Sequence, residues 1–479
     1  MTDDRWRSPL STRYASPAMQ TLWGEPRRIA LWRRLWLALA ETERELGLDI
    51  PESALVQMRA HLDDADLSAA ARYERRFRHD VMAHIHAFAD QAPAARAYLH
   101  LGATSAFVSD NADVVIMREG LRLLLGRLIA VLRALQRFAG RYAALPCLAY
   151  THFQPAQLTT IGKRATLWMQ DFALDVEETC HRIEALRLRG CKGTTGTQAS
   201  FLQLFGGDHE KVRELDRRVA AKLGFQQTFA VTGQTYTRKA DSVVLEALSG
   251  IAQSASKLAG DLRLLQHEGE LLEPFESEQV GSSAMAYKRN PMRAERISGL
   301  ARYVMALPAN TAQTAATQWL ERTLDDSANR RLTLPEGFLA TDAILVLATN
   351  IAAGLEVRED VVRRHVSEQM PFMATERWLM LGVGAGGDRQ ALHEVIRRHS
   401  LAVAEAVSRG EPNDLLSRLA GDPAFREIPT ANLQAELDPA HYTGRAERQV
   451  SEFLDEYLEP LLTRARPLAS EAESAEVVV

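Results

Sequence analysis

The chain has 479 residues, of which 46% are hydrophobic, 25% charged and 7% aromatic. This composition is ordinary for a globular protein, and it excludes a disordered chain, a fibre and a small disulfide-stapled domain. At about 100–200 residues per domain, the length predicts two to four domains with a large core. The formal net charge of −5 leaves no broad basic surface for a nucleic-acid partner.

Cysteine usage and the N-terminus indicate the compartment. Cys147, Cys180 and Cys191 are odd in number and form no CxxC pair, which predicts a reducing cytoplasm. Residues 1–7 include two Asp and no apolar run, unlike a signal peptide. The apolar segment 114–132 is interrupted by four charged side chains. We therefore expect neither a membrane span nor a membrane partner.

Helical periodicity dominates the hydrophobic pattern. Apolar residues recur at alternating spacings of three and four over 114–142, and similar patterns cover 169–186 and 244–265. Such stripes must pack on other helices, because one amphipathic helix cannot bury its own apolar face. Three long helices in mid-chain predict a bundle. Their length favours a bundle shared between subunits, with a monomeric bundle as the alternative.

The first helix has predicted ends. Asp110 and Asn111 can cap its start and Pro146 can stop it, which gives a helix over 112–145 of about 50 Å. Strand signals are almost absent, because even the β-branched segment 228–237 is interrupted by a glycine. The predicted fold class is therefore all-α.

The helical patterns divide the chain into three predicted zones. An N-terminal helical domain covers 1–104, a central long-helix bundle covers 105–357, and a C-terminal helical domain covers 358–479. The last nine residues, 471–479, are expected to be a frayed tail.

The segment 276–291, ESEQVGSSAMAYKRNP, is the most informative stretch for chemistry. It falls between two helical patterns, where a polar loop can mount reactive groups on a rigid support. Ser282 and Ser283 supply hydroxyls, and Lys288 supplies positive charge. A solvated surface loop is the alternative interpretation.

Two histidine-containing segments follow. His152, in THFQPAQ, can donate a proton near neutral pH or be an ordinary polar loop residue. In the segment 78–86, His79 and His84 are five residues apart, about 140° around a helix, so they do not share a face. HExxH is also missing, which makes a metal site a poor prediction. A base–carboxylate pair of His79 and Asp80 that contacts a ligand is more plausible.

Two further segments suit anions. The segment 100–105, HLGATS, combines hydroxyls with a glycine that lets backbone approach an anion, although a plain turn is equally simple. The segment 322–331 carries three Arg and a Ser, a donor set for phosphate, with a salt-bridged helix start as the alternative. The segment 193–198 lacks the Gly-Lys-Ser/Thr ending and the preceding strand of a nucleotide-triphosphate loop.

Together these motifs resemble adenylosuccinate lyases of the fumarase/aspartase superfamily, closest to the animal-type branch. The matching segments, in chain order, are SPLSTRYASP, RHDVMAH, HLGATS, THFQPAQLTT, KGTTGTQASF, TGQTYTRK, GSSAMAYKRNP and ERTLDDSANRR. They span about residues 8–465. One departure stands out: the family usually has Pro after the Met of the loop, where this chain has Ala286.

The resemblance implies a homotetramer with a central helical bundle, in which each active site takes segments from three subunits. It implies β-elimination of fumarate from adenylosuccinate, giving AMP, and from the succinylated aminoimidazole carboxamide ribotide. Such a reaction needs a base beside a carboxylate, an acid at the departing nitrogen and fixed positive groups. No redox, phosphoryl-transfer or metal step is needed, so no cofactor is implied.

The resemblance also implies residue roles. Ser282 would be the base, with Ser283 as the alternative in register, and His152 would be the acid, with His79 assisting. Lys288 would stabilise the serine oxygen or bind a substrate carboxylate. The other implied substrate-binding positions are Arg13, Tyr14, Arg78, Asp80, Thr104, Ser105, Thr151, Gln234, Arg296, Arg322, Ser327 and Arg331. His100 and Glu295 are plausible members of the site with less defined roles.

Two alternatives remain at this stage. One is a related lyase that releases fumarate from argininosuccinate or a small dicarboxylate; the arginine-rich segment 322–331 favours a phosphorylated nucleotide instead. The other is a catalytically inactive helical scaffold, against which the joint presence of Ser282, His152 and Lys288 argues.

Overall fold

The structure is a computed structural model of one chain, and it describes residues 5–470. Helices account for 69% of the structure and strands for 4%, which confirms the all-α class. The expected frayed tail at 471–479 lies outside the described residues.

The N-terminal part consists of short helices around one longer one. These helices are α1 (Pro17–Trp23), α2 (Glu25–Glu45), α3 (Glu52–Ala60), α4 (Leu67–Phe77) and α5 (Asp80–Gln91). Local sequence sets their ends. Ser16 caps α1 through its hydroxyl, Gly47 takes the left-handed conformation after α2, and Asp66 caps α4.

Five long helices form the centre of the molecule. The central elements are α6 (Ser105–Arg141), β1 (Pro146–Thr151), β2 (Gln154–Thr160), α7 (Ile161–Ala185), α8 (Ala199–Leu204), α9 (His209–Lys222), α10 (Lys239–His267), β3 (Leu271–Leu272), α11 (Met292–Ala316), α12 (Asp325–Gly354) and β4 (Glu356–Val357). The apolar stripes of α6, α7 and α10 are buried in one continuous core with those of α11 and α12. The predicted bundle of long helices is therefore present.

The predicted ends of the first long helix are wrong. Helix α6 begins at Ser105 and has 37 residues, so it is about 55 Å long. Asp110 and Asn111 lie inside the helix and are buried, and they bond to other segments instead of capping. The helix ends at Arg141, five residues before Pro146, which opens strand β1.

The hairpin of β1 and β2 was not predicted from the sequence. The two strands pair antiparallel, with Cys147 opposite Thr159 and Leu148 opposite Leu158. The hairpin buries few side chains, so its pattern is too short to stand out from the flanking helices. The segment 228–237, in contrast, forms no strand and contributes an isolated bridge from Thr228 to Leu188.

The C-terminal part has a core of its own. Its helices are α13 (Glu359–Met373), α14 (Thr375–Gly384), α15 (Arg389–Ser408), α16 (Leu415–Ala420), α17 (Thr430–Ala435), α18 (Ala446–Glu452) and α19 (Glu459–Ala465). Trp378, Leu392 and Leu433 lie in this second core, whereas Val450 and Leu461 pack into the central core. The division at residues 104 and 357 stays a prediction.

Within residues 5–470, one helix is long and apolar enough on composition alone to cross a membrane. It is α12, whose most apolar window has a mean hydropathy of 1.5. Of that window, 72% is buried inside the fold. Packing against the neighbouring long helices accounts for its apolar character.

A buried ion network ties three of the long helices together. Arg238 pairs with Asp110 of α6 at 3.1 Å and with Asp326 of α12 at 2.6 Å. Arg330 pairs with Asp241 of α10 at 2.7 Å. Burial alone would raise the pKa of Asp110, but the charges of Arg238 and Arg330 outweigh it and lower that pKa. Asp110 therefore stays ionised inside the core.

Arg238→Met tests how much this network contributes to stability. The side chain is 2% exposed, and its removal takes away the cation paired with buried Asp110 and one of the two cations paired with buried Asp326. We expect the free energy of unfolding, measured in urea, to fall by about 3–5 kcal/mol. Arg213→Met is the control, because Arg213 forms an exposed pair with Glu210 and should change stability by less than about 1 kcal/mol. Equal effects of the two substitutions would contradict the argument.

Candidate active site

The start of α6 has the local structure of an anion-binding helix terminus. Thr104 is the N-cap and Ser105 the first residue of this 37-residue helix, where free N–H groups and the helix dipole favour negative charge. Gln234 Nε2 lies 3.5 Å from Thr104 Oγ1. The backbone of Gln234 is fixed by Glu321 and Arg189. The Thr104 and Gln234 side chains are thus held together next to Ser105, and the resemblance implies substrate binding for all three positions.

A cavity of about 560 Å³ opens beside this helix start. Predicted site residues that line it are Arg78, His79, Asp80, Ser105, Arg322, Ser327 and Arg331. Arg331 pairs with Asp80 at 3.0 Å, which bridges α12 and α5. Ser327 lies in the first turn of α12, and Arg322 precedes that helix. The cavity therefore combines hydroxyls, guanidinium groups and a helix N-terminus, a donor set suited to phosphate.

The turn at residues 78–80 is locally strained. Arg78 has φ +55° and ends α4 in the left-handed conformation, which costs energy in any residue with a Cβ. His79 then caps α5 by accepting the Met82 N–H at Nδ1, 3.4 Å away. Such strain is found where a structure must aim particular side chains, and here it turns Arg78, His79 and Asp80 toward one cavity.

A second group joins the N-terminal segment to α11. The guanidinium carbon of Arg296 lies 5.8 Å from the centre of the Tyr14 ring, within cation–π range. Burial lowers the pKa of Arg296. Arg13 is the residue before Tyr14 in the same helical turn, Leu10–Tyr14. All three predicted positions of this group thus lie near the start of α11.

The loop between α10 and α11 folds back on itself. A Cβ on Gly281 would lie 2.1 Å from the Lys288 carbonyl oxygen, so only glycine fits. Asn290 Nδ2 donates to the Gly281 carbonyl at 2.8 Å and closes the loop. Ser282 is half-buried, and its Oγ accepts the Met285 N–H at 3.1 Å. This hydrogen bond would stabilise negative charge on the Ser282 oxygen.

The neighbours of Ser282 differ from it in burial. Ser283 and Lys288 are both exposed, and no hydrogen bond between Lys288 and Ser282 occurs among the described residues. The structure thus separates the two serines by environment, while the role of Lys288 stays a prediction.

Ala286→Pro tests the departure from the family's loop sequence. Lys288 N–H donates to the Met285 carbonyl at 3.0 Å, so residues 285–288 form a turn with Ala286 in its second position. Proline fits that position because its φ is already fixed near the required value. We expect kcat to be unchanged or to rise by up to about threefold as loop freedom falls. A large loss of kcat would show that the turn differs from this geometry.

His152 occupies the tip of the β1–β2 hairpin. Thr151 pairs with Gln154, so His152 and Phe153 are the two central residues of the turn, with φ of +55° and +58°. Two-residue turns of this type normally use Asn-Gly, because both positions need positive φ. The exposed, strained tip therefore presents the imidazole away from the body of the chain.

The predicted residues form separate groups within this chain. Between the described residues, no hydrogen bond or ion pair joins His152 or the serine loop to the cavity beside α6. The hairpin tip with His152, the serine loop and the cavity beside α6 lie on different elements of the chain.

His100 was predicted with a less defined role, and Arg189 was not predicted as a site residue. His100 Nδ1 accepts the Trp36 indole N–H at 2.9 Å, and burial lowers the pKa of His100 to about 4, so the ring is neutral. Arg189, fully buried, donates to the carbonyls of Gln234 and Gly193. Glu295, which was also predicted with a less defined role, has its Oε1 atom 4.0 Å from Arg263 Nη2. No motif marks Arg189, because its partners are backbone carbonyls brought close by folding.

The comparisons with known proteins fit this fold and these motifs. A family model described as Lyase matches residues 53–306, and one described as Adenylosuccinate lyase C-terminus matches residues 371–453. The fold is similar to a fumarate lyase from Mesorhizobium sp. BNC1, with a TM-score of 0.77, 23% identity, and coverage of 92% of this chain and 98% of that one. It is also similar to a 3-carboxy-cis,cis-muconate lactonizing enzyme from Pseudomonas putida, with a TM-score of 0.78, 23% identity, and coverage of 96% and 99%.

The Lyase model, which matches more than half of the chain, places it in that lyase family, and the two solved structures share its fold. Its sequence is 48% identical to an adenylosuccinate lyase of Saccharomyces cerevisiae, covering 94% of each chain. It is 46% identical to an adenylosuccinate lyase of Schistosoma mansoni, covering 96% of each chain. The chain belongs to the adenylosuccinate lyase family, which confirms the resemblance drawn from its motifs.

Proposed function

We propose that the protein cleaves adenylosuccinate into AMP and fumarate, and the succinylated aminoimidazole carboxamide ribotide into its parent ribotide and fumarate. Both steps belong to purine nucleotide biosynthesis. The observation that carries the proposal is the cavity beside α6, where a helix start for a carboxylate lies next to an arginine- and serine-lined wall for a phosphate.

In the proposed mechanism, Ser282 removes a proton from the carbon next to a succinyl carboxylate. The resulting carbanion spreads its charge into that carboxylate, which Thr104, Ser105 and Gln234 would hold. The carbon–nitrogen bond then breaks, and the electron pair leaves with the purine nitrogen. His152, assisted by His79, would protonate that nitrogen, so the acid and base act on opposite ends of one bond.

The Met285 N–H supports Ser282 as the base. A serine hydroxyl is a weak base unless its anion is stabilised, and this N–H points at the Ser282 oxygen. Lys288 would supply a positive charge once the loop closes over substrate. Arg13, Tyr14 and Arg296 would bind nucleotide atoms together with Arg322, Ser327 and Arg331.

We also propose a cytoplasmic homotetramer with shared active sites. The support is the separation of the hairpin tip, the serine loop and the cavity within one chain, together with exposed leucines on the bundle. Leu167 and Leu174 lie seven residues apart on α7 and are 50% and 53% exposed. Light scattering tests the tetramer, because it measures the mass of the assembly. A monomer would contradict the proposal, since each proposed site would be incomplete.

Fumarate release is the assay that tests the activity. Adenylosuccinate, the succinylated ribotide and argininosuccinate should be supplied separately to the purified chain. We expect turnover of the first two only, because argininosuccinate has no phosphate for the arginine-lined wall. Turnover of argininosuccinate alone would favour the related lyase, and no turnover of any substrate would favour an inactive scaffold.

A further inference from the structure

A buried carboxylate, Glu270, lies where three elements of the chain meet. Its side chain is fully buried, just after the end of α10. His365 Nδ1 of α13 lies 2.9 Å from Glu270 Oε1. Arg164 Nη1, in the first turn of α7, lies 3.7 Å from Glu270 Oε2. We name these three residues the Glu270 cluster.

The cluster reaches the hairpin through Arg164. The guanidinium donates from Nη2 to the Leu148 carbonyl of β1, and its central carbon lies 5.9 Å from the Tyr150 ring centre. Between Leu148 and Tyr150 the strand register shifts, as in a β-bulge. Bulges re-aim the side chains that follow them. The extra residue is on β2, where Ala156 and Gln157 lie opposite Ala149 of β1, three residues before His152.

The environment of Tyr150 agrees with this arrangement. Burial, with the nearby Glu270 and Glu268 carboxylates, raises the pKa of Tyr150 to about 12. The neutral Tyr150 ring also lies 5.9 Å from the Phe153 ring at the hairpin tip. A contact path therefore runs from Arg164 through Tyr150 to the residue beside His152.

Glu270 also fixes the base of the loop that carries Ser282. Its carbonyl accepts the Arg358 N–H at 2.8 Å, and the next residues, Leu271–Leu272, pair with Glu356–Val357. Glu273 then accepts two N–H groups at the start of α11, at 3.0 Å each. Residues 270–273, which precede the loop, are therefore anchored both to strand β4 and to the start of α11.

Electrostatics makes the cluster hard to rearrange. A fully buried carboxylate is costly unless cations and hydrogen-bond donors surround it. Glu270 has the cation Arg164 near Oε2 and the imidazole nitrogen of His365 near Oε1. Moving Arg164 away from Leu148 would also move it relative to Glu270. The position of the hairpin is therefore set by a charge pair in the core as well as by apolar contacts.

We propose that Glu270 is a positioning residue for the proposed reaction, holding Arg164 so that strand β1, at the point opposite the bulge, aims His152. Among the described residues, Glu270 forms no hydrogen bond or ion pair with a predicted substrate-binding side chain, so we infer that it acts through the hairpin. The proposal rests on the proposed function, since it assigns a geometric requirement to the proton donor His152. It extends the site by three residues that no motif marks.

Glu270→Gln is the test, because it keeps the shape and removes the charge. With adenylosuccinate, well below the unfolding temperature, we expect kcat to fall about 10- to 100-fold, as for a small displacement of a catalytic group. KM should stay within about twofold. Glu268→Gln removes a nearby, less buried charge that forms no ion pair among the described residues, and should keep wild-type kcat. Wild-type kcat in Glu270→Gln would overturn the proposal.

A double-mutant comparison separates positioning from general stability. If Glu270 acts through His152, Glu270→Gln should cost almost nothing in a His152→Asn background. An undiminished loss in that background would overturn the proposal. If Glu270→Gln does not fold, Arg164→Lys gives the same test, because lysine cannot reach both Leu148 and Glu270 with a forked donor.

Hydrogen exchange tests the cluster independently of activity. Glu270→Gln should speed exchange of the hairpin amides in 146–160 about tenfold or more, while buried amides of α6 stay protected. Unchanged exchange in the hairpin would reject the positioning role. A wild-type chain inactive on adenylosuccinate, with hairpin exchange altered in the variant, would instead reject the proposed function and keep the structural role.

Discussion

Ser282→Ala should reduce kcat for adenylosuccinate by about 10²–10⁴-fold with the fold intact. The hydroxyl is the proposed base, and its oxygen accepts the Met285 N–H at 3.1 Å. The loop is closed separately by the hydrogen bond from Asn290 to Gly281, so its backbone should survive the substitution. Fumarate release measures kcat, and circular dichroism checks the fold.

Ser283→Ala is the matched control for this prediction. Ser283 is the next residue and is exposed, whereas Ser282 is half-buried. We expect kcat of Ser283→Ala to stay within about fivefold of the wild type. A large loss in Ser283→Ala with normal turnover in Ser282→Ala would move the base by one residue. Normal turnover in both variants would refute a serine base.

His152→Asn should lower kcat by a similar factor, about 10²–10⁴-fold, because the departing nitrogen would lose its proton donor. Asparagine is chosen since it tolerates the positive φ of +55° at this position without the imidazole. Phe153→Asn is the control at the second central position of the same turn, with φ +58°. We expect it to retain most of the activity. Equal losses in both variants would point to the turn instead of the imidazole.

Mixing the two inactive variants tests whether sites are shared. If Ser282 and His152 of one site come from different chains, random reassortment of equal amounts leaves about a quarter of the sites with both native residues. We therefore expect activity to reappear after the mixed variants are dissociated and reassembled. If both residues came from one chain, every site would keep one defect and activity would stay absent.

Much of the fold was predictable because a long helix that packs on other helices has apolar residues at a regular helical spacing. The stripes over 169–186 and 244–265 predicted α7 and α10, since a helix must bury one face repeatedly along its length. The hairpin 146–160 was missed because it buries few side chains and lies between two strong helical signals. The α6 start was misplaced because Asp110 and Asn111 look like caps but are core residues.

The candidate site was predictable to a different extent. Its motif residues were found because reactive side chains cluster in short segments, such as the one that contains Ser282 and Lys288. Their mutual arrangement was not, since Asp80 and Arg331 lie 251 positions apart and meet only in the folded chain. The buried partners Arg189 and Glu270 carried no local pattern at all.

The sequence by itself determined the all-α class, the long helices of the bundle, the family and the reactive segments, because periodicity and short motifs are local properties. The tertiary structure decided which charges are buried together, that a hairpin turn presents His152, and that Glu270 lies beneath that hairpin. Those features depend on contacts between distant residues. A buried charge is stabilised only by partners that the complete fold brings within reach.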